Sequence, residues 1–496
     1  MGVHRQIKRN LYWNGISNNI LAVCMVLAMF LCCACAPKNM VRKKTNVLFI
    51  VVDDLRPILG CYGNAIIKSP HIDALAKAGV LFESAYCQQA VCNPSRTSVL
   101  TGLRPDQSGV WNLKTHFRNL DSNVITLPQL FKSNAYAARE VGKIFHDGAE
   151  FKDPDSWSGT SFYNVTRNEP NHKYVLTQNL VPSRAKAAPT EQAEVGDDSY
   201  IDGKVASKAI DLMRELKDSS FFLAVGFRRP HLPFSAPKKY WDLYKRGDFV
   251  SELQDSLVPL GTPEIALTNS NELRGYDGIE KDRVLAREKQ LELLHGYYAS
   301  TSFVDAQIGK ILTALKDLHL DDNTIIVLWS DHGFHLGEFG IWCKSTNFEA
   351  ATRVPLIFAG PDFKKNKRVK TMTELIDIYP TLADLAGLQL PDKLKGKSLR
   401  KQLTTTIDIV GDGYALSQFI RPYESLNKGL PEAMGYSIRS KDFRYTEWRS
   451  FDDMKVLDRE LYDLSLNPQE SENIADSPNY TEMMRLLSTK IDAIRK

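Results

Sequence analysis

Three uninterrupted apolar runs constrain this chain more than any other feature. Asn46–Val52 (NVLFIVV), Ser220–Phe227 (SFFLAVGF) and Thr324–Trp329 (TIIVLW) are rich in β-branched and aromatic residues and show no polar alternation. A strand that is apolar on both faces needs cover on both faces, as in a parallel sheet sandwiched by helices. Val354–Phe358 (VPLIF) reads as a fourth such strand. Helical spacing fills the intervals at 70–79, which stops at Gly79, and at 284–318. This alternation predicts an α/β fold with a mainly parallel sheet flanked by helices. Beyond residue 405 the pattern changes to short strands near 412–419, 434–439, 442–448 and 459–464, then a helix at 480–495. Residues 45–405 are therefore read as a large domain and 406–496 as a smaller α+β domain with a short antiparallel sheet. Segments 151–200 and 250–285 are polar and aperiodic, the kind of long insertion that shapes a pocket.

The N-terminus reads as an address. Residues 1–19 carry Arg5, Lys8 and Arg9, and residues 20–36 (ILAVCMVLAMFLCCACA) carry no charge. A basic start, a short apolar run and small residues describe a secretory signal, and the run is a little short for a spanning helix. An uncleaved anchor is the second reading, since Lys38, Arg42, Lys43 and Lys44 follow. The run ends in cysteines and resembles a bacterial lipoprotein signal spanning residues 1–35, in which Cys35, or Cys33 or Cys32 in its place, is lipidated and becomes the new N-terminus. Residues 36–44 then form a tether holding an exported protein in the periplasm or at the cell surface, in contact with membrane through the lipid alone. Without Arg5, Lys8 and Arg9 the net charge of +4 falls to about +1, which leaves no electrostatic footprint for nucleic acid.

The runs end in carboxylates. Asp53-Asp54 follows the first and Asp331-His332 follows the third, at the edge where open parallel sheets bind ligands. One such pair can simply cap a strand–loop junction. Two on buried strands point to a bound cation, because gathered carboxylates repel unless neutralised. Hard oxygen donors suit Ca²⁺ or Mg²⁺. The segment Ala90–Gly102 (AVCNPSRTSVLTG) predicts a short helix, with Asn93 as N-cap, Pro94 at the first position and Gly102 as the stop. Cys92 would sit at its positive end, and Arg96 one turn in, able to grip an oxyanion.

Cys92-Asn93-Pro94-Ser95-Arg96 followed after four residues by Thr101-Gly102 resembles the C-x-P-S-R-x4-T-G signature of type I sulfatases. Gly142–His146 (GKIFH), the segment Phe222–Phe234 and Ser330–Glu349 (SDHGFHLGEFGIWCKSTNFE) extend the likeness over about residues 45–465, closest to the iduronate-2-sulfatase branch. Asp-His rather than Asp-Asn at 331–332 points to that branch, and Phe339 departs from the His it often carries. The resemblance implies an alkaline-phosphatase-like fold and a sulfuric ester hydrolase acting on a sulfated carbohydrate, with uronate 2-O-sulfate in glycosaminoglycan degradation the closest analogue. A maturation enzyme would convert Cys92 to formylglycine, whose hydrate attacks sulfur. Asp53, Asp54, Asp331, His332 and residue 92 match the metal ligands. Arg96 and Lys143 match the groups that hold the nucleophile, and His146 matches the base that releases sulfate. His231 and Lys344 match the sulfate contacts, with His231 the acid for the leaving oxygen. A phosphoester or phosphonate-ester hydrolase, and an inactive glycan-binding lipoprotein, are the alternatives. His335 reads equally as a pocket residue or a satisfied loop histidine, whereas Arg228 and Arg229 read as solvated side chains ahead of carboxylate contacts. Of eight cysteines, only Cys61, Cys87 and Cys343 then have no role, which allows at most one internal disulfide.

Overall fold

The computed structural model describes residues 44–163, 173–180, 186–254, 256–268, 271–281, 284–406, 413–428 and 431–495. The leader, its cysteines, the tether up to Lys43 and the beginning of the first C-terminal strand expected near 412 lie outside the described residues.

The strands in chain order are β1 (Asn46–Val52), β2 (Val80–Tyr86), β3 (Ala137–Gly142), β4 (Thr190–Ala193), β5 (Phe221–Phe227), β6 (Phe234–Pro237) and β7 (Thr324–Ser330). They continue with β8 (Arg353–Ala359), β9 (Lys367–Val369), β10 (Thr373–Glu374), β11 (Ala415–Arg421), β12 (Ala433–Arg439), β13 (Phe443–Ser450) and β14 (Val456–Asp463). Eight of them form one sheet in the order β10-β2-β8-β7-β1-β5-β3, with β9 also on β2. The central block β7-β1-β5-β3 is parallel throughout, as the apolar runs predict. The fourth expected strand, β8, is present but runs antiparallel to both β7 and β2. The fold is the expected α/β sandwich.

Every residue of β1 is buried, and its alternation sorts the layers. Val47, Phe49 and Val51 join Val99, Leu130, Phe131 and Leu382 on one face. Leu48, Ile50 and Val52 join Leu75, Leu212, Ile308 and Ile311 on the other. The second face is covered by helices Pro70–Ala78, Ile201–Leu216 and Arg287–Asp317, so two-sided burial has a partner on each side. The sandwich places the C-terminal ends of β7, β1, β5 and β3 along one edge, where the catalytic candidates follow them in sequence.

The C-terminal residues form an antiparallel sheet β11-β12-β13-β14, followed by helix Thr481–Arg495, as expected. It meets the large sheet at the β2–β10 margin. There the Leu416 N–H donates to the Glu374 carboxylate at 3.0 Å, and the Ser417 hydroxyl to the Cys87 carbonyl at 2.6 Å. Strands β2 and β3 carry polar residues inside the run, so they lack the uninterrupted apolar signature. Among the described residues, Cys61, Cys87, Cys92 and Cys343 are all free thiols, and no helix is long and apolar enough to cross a membrane.

Candidate active site

Asp53 and Asp54 follow β1 directly, and Asp331 and His332 follow β7, the strand beside it. Asp54 adopts a left-handed backbone (φ 61°), a conformation that costs energy outside glycine and clusters at functional sites. It is held there because its N–H donates to Asp331 Oδ1 at 3.2 Å and its carbonyl accepts from the Tyr297 hydroxyl at 2.7 Å.

Lys143 follows β3. The turn into it needs glycine at 142, where φ is +83° and a Cβ would lie 2.0 Å from the Gly226 carbonyl oxygen. This sharp exit delivers the Lys143 ammonium to Asp53 Oδ2 at 2.6 Å.

Cys92 opens the helix Cys92–Thr101, whose N-cap is Val91, and Gly102 ends it in the left-handed conformation. The expectation that Asn93 caps this helix is corrected. Asn93 lies inside the first turn, and its amide instead donates to the carbonyls of Asn112 (2.8 Å) and Thr115 (2.9 Å), tying down the neighbouring loop. The Cys92 thiol lies 3.3 Å from His332 Nε2, 3.4 Å from Asp53 Oδ1 and 3.6 Å from Lys143 Nζ. Arg96, fully buried, faces the same point from the next turn. Its Nε donates to Asp331 Oδ2 (2.8 Å), one terminal nitrogen to Asp53 Oδ1 (3.1 Å), and the other to the carbonyls of Lys143 (2.5 Å) and Ile144 (3.0 Å).

Ligand atoms of Asp53, Asp54, Cys92 and His332 lie within 4.8 Å of one another, all buried. His332 is oriented by its Nδ1 at 3.0 Å from the Gly333 carbonyl, which leaves Nε2 toward the cluster. Asp331 stands beside this set, its Oδ2 shared between Arg96 and a 3.6 Å approach to His332 Nε2. Two carboxylates and an imidazole converging on one point in the interior fit a divalent cation.

The electrostatics follow from burial and ion pairing. Burial pushes the Asp53 carboxyl up, but the Lys143 and Arg96 cations outweigh it and hold it well below the usual carboxylate range. Asp54 is raised by burial, which His231 and Lys344 only partly offset. The Cys92 thiol is raised well above its ordinary value by burial and by Asp53. As encoded, residue 92 is thus a neutral thiol and a poor nucleophile.

Asp53, Cys92 and Lys143 line a cavity of about 540 Å³, and the buried Asp54, Arg96, Asp331 and His332 back them. Lys344 and His231 stand on its wall. The Lys344 ammonium lies 3.0 Å from Asp54 Oδ2 and 2.9 Å from Glu272 Oε2, and His231 Nε2 lies 3.0 Å from Glu272 Oε1. His146 also lines the cavity, its ring edge against Phe151 at 5.0 Å between centroids. All ten residues singled out in the sequence therefore meet in one place.

Other side chains fall differently. His335 is buried away from the cavity with Nε2 2.8 Å from the Thr346 hydroxyl, so it is a loop histidine. Phe339 packs on Phe348 at 4.9 Å, outside the cavity wall. Arg228 and Arg229 are not solvated: each is 3% exposed. Arg229 is spent on Ser235 and on the carbonyls of His231 and Lys173, bracing the loop that carries His231. Glu272, Lys173 and Lys186 are cavity residues that no motif marks, because they come from the aperiodic insertions.

Comparison with known proteins adds a family to this geometry. The family model described as Sulfatase matches residues 45–388, and that described as N-sulphoglucosamine sulphohydrolase, C-terminal, matches residues 337–496. The chain is 33% identical to the iduronate 2-sulfatase of Homo sapiens over 97% of this chain and 98% of that protein. Among solved structures, a phosphonate monoester hydrolase from Silicibacter pomeroyi superposes with a TM-score of 0.74 at 22% identity, over 91% of this chain and 95% of that one. A 2-O GAG sulfatase superposes with a TM-score of 0.68 at 24% identity, over 92% and 93%.

Proposed function

Because the chain belongs to the sulfatase family, on its iduronate-2-sulfatase branch, and is a sulfuric ester hydrolase, we propose that it removes sulfate from a sulfated glycan. The substrate is an O-sulfated uronate or related sugar of glycosaminoglycan type, and Cys92 acts after conversion to formylglycine, with Ca²⁺ at the carboxylate cluster. The observation that carries this reading is the convergence of Asp53, Asp54, Cys92 and His332 at one buried point, where Asp53 and Cys92 open into a cavity also lined by Lys344 and His231.

When present, the formylglycine supplies an oxygen nucleophile and the cation neutralises charge on the sulfate. The chain's own residues do the rest. Asp53, Asp54 and His332, with Asp331 beside them, would hold the cation. Arg96 and Lys143 fix residue 92 against Asp53 and carry positive charge to where the nucleophile must shed a proton. Lys344 binds a sulfate oxygen. His231, which lines the same cavity as the thiol, would protonate the leaving sugar oxygen, and its Nδ1, 2.6 Å from the Leu232 carbonyl, fixes the ring. His146, on the cavity wall, takes the proton that releases sulfate.

The leader supports export with a lipid on Cys35, which would keep the enzyme at a membrane surface beside its polysaccharide. Two measurements test the enzymatic reading. Mass spectrometry of the Cys92 peptide from the native host should show the aldehyde. Aryl sulfate should be cleaved faster than aryl phosphate. Unmodified cysteine together with no turnover would defeat the proposal, and faster phosphate hydrolysis would move the enzyme to the phosphonate-ester hydrolases that share its fold.

A further inference from the structure

Asp202 is a buried carboxylate that no sequence motif marks and that does not line the cavity. It is wholly buried in the first turn of the helix Ile201–Leu216 and does not cap that helix. Its two oxygens accept instead from consecutive main-chain N–H groups, Oδ1 from Arg228 at 2.9 Å and Oδ2 from Arg229 at 2.8 Å. Burial raises its carboxyl, and the Arg229 charge and these two bonds pull against that rise. Taking a carboxylate out of water is expensive. What it gives in return is one acceptor oxygen for each of two adjacent N–H groups, which a hydroxyl or an amide does not offer.

The clamped residues are the exit of β5. The carbonyls just before them are committed, Gly226 to the Lys143 N–H at 3.0 Å and Phe227 to the Asp53 N–H at 3.1 Å. The Arg228 carbonyl accepts from the His231 N–H at 2.9 Å and closes a turn. Asp202 therefore fixes the link between a strand end bonded to the Asp53 and Lys143 main chain and the turn that carries His231. The Arg229 side chain braces the same turn, to the His231 and Lys173 carbonyls at 3.1 Å each and to the Ser235 hydroxyl at 2.7 Å. The His231 side chain is 25% exposed, so its place depends on the main chain that carries it. Both its ring nitrogens face acceptors, the Leu232 carbonyl at 2.6 Å and Glu272 Oε1 at 3.0 Å, the setting of a proton donor.

We propose that Asp202 is a positioning residue: by holding the Arg228 and Arg229 N–H groups it sets His231 at the distance from the leaving oxygen that proton transfer requires. This rests on the sulfatase reading and on His231 as its acid. In that step the S–O bond to the sugar breaks, its electron pair stays on the sugar oxygen, and His231 Nε2 passes its proton there. Such a donor matters in proportion to the basicity of the leaving oxygen, and a small displacement removes much of its effect. A sugar alkoxide needs the proton, whereas a nitrophenolate leaves without it. Loss of the Asp202 clamp is therefore felt according to the leaving group, not uniformly.

The test is kcat/KM for para-nitrophenyl sulfate, phenyl sulfate and a 2-O-sulfated uronate disaccharide. His231→Gln is the reference, and it should lose roughly tenfold or more on the last two beyond its loss on the first. Asp202→Asn keeps the shape but turns an amide N–H₂ toward a main-chain N–H. It should show the same dependence on leaving group at smaller size, and the double variant should be no slower on the disaccharide than His231→Gln alone. On the disaccharide, the fall of kcat/KM at alkaline pH, which reports the acid, should flatten in both single variants. Should Asp202→Asn fail to fold by circular dichroism, Ser235→Ala loosens the same turn through Arg229 and is read by the same ratio. An Asp202→Asn loss that is equal on all substrates with the alkaline limb intact, or no loss at all, overturns the positioning role. An equal loss for His231→Gln on all substrates removes the acid and the role with it. An unsubstituted enzyme that cleaves none of the three overturns the sulfatase reading instead.

Discussion

Glu272 grips Lys344: its carboxylate oxygens lie 2.9 and 3.0 Å from the Lys344 ammonium, and one of them is also 3.0 Å from His231 Nε2. A carboxylate thus sits between the two groups assigned to the substrate's sulfate, as an anion already in place. Burial raises the Glu272 carboxyl, but Lys344 and His231 overcome this and hold it well below the usual range, so it is charged at neutral pH.

Removing that charge should let free sulfate in. For Glu272→Gln we expect the inhibition constant of inorganic sulfate to fall roughly tenfold, equivalent to about 1.4 kcal/mol, since one unit charge no longer competes for Lys344. Inhibition of aryl sulfate hydrolysis by sulfate at pH 7 measures it. An unchanged or higher constant would show that Glu272 does not compete with the product.

Chelation should separate activity from folding. Lys143 at 2.6 Å from Asp53 and Lys344 at 3.0 Å from Asp54 neutralise the two carboxylates with or without an ion. A chelator should therefore abolish turnover while the protein stays folded. The loss of stability should be limited to the ligand's own contribution, about 2.7 kcal/mol if the ion had been present at ~100 times its Kd. Calcium should restore more activity than magnesium. Global unfolding in chelator, followed by circular dichroism, would contradict this.

Arg96 should resist even its nearest substitute. It meets Asp331, Asp53 and two carbonyls with one planar fork while fully buried. A lysine keeps the charge but cannot reach four acceptors from one plane. Arg96→Lys should lower kcat by roughly 100-fold through misplacement of residue 92, and cost about 3 kcal/mol from the unmatched buried carboxylates. Turnover and urea denaturation together check both parts.

The two acidic ends of β1 and β7 were legible because continuous apolar runs have one stable environment, and the residue after such a run must emerge at the sheet edge. The Cys92 segment was legible as a motif, yet its helix begins earlier than capping preference implies. Asn93 is worth more as a tie to the carbonyls of Asn112 and Thr115 than as a cap, which is tertiary context overriding a local preference. Arg228 and Arg229 looked solvated because charged pairs usually are, and no local pattern signals Asp147 or Ser235 waiting for them. Glu272, Lys173 and Lys186 had no signal at all. Their positions depend on how two aperiodic insertions fold over the cavity, and such packing leaves no period in the sequence.

A final prediction concerns stability away from the site. Glu460, on β14, is 2% exposed, and its two oxygens accept from the Trp448 indole N–H and the Tyr462 hydroxyl, each at 2.7 Å. Burial, more than those bonds can offset, lifts its carboxyl to about 7. An unfolded glutamate titrates near ~4.3, so between these values the folded chain keeps a proton that the unfolded chain has released. Stability from the neutral carboxyl is complete below about pH 4, declines as pH rises through about 7, and is level above. Glu460→Gln copies the protonated form: its oxygen can accept from Trp448 and its amide can donate to Tyr462, whose hydroxyl then turns to Thr262 Oγ1 at 2.8 Å. The variant should match the parent at pH 4.5 and exceed it at pH 8 by an amount on the order of 3 kcal/mol, a few degrees in Tm for a chain of this size. Thermal melts of both proteins from pH 4.5 to 8.5 decide it. A constant difference across that range would mean that Glu460 does not titrate between the two values, and a variant less stable at pH 8 would mean that the charged carboxylate supports the sheet.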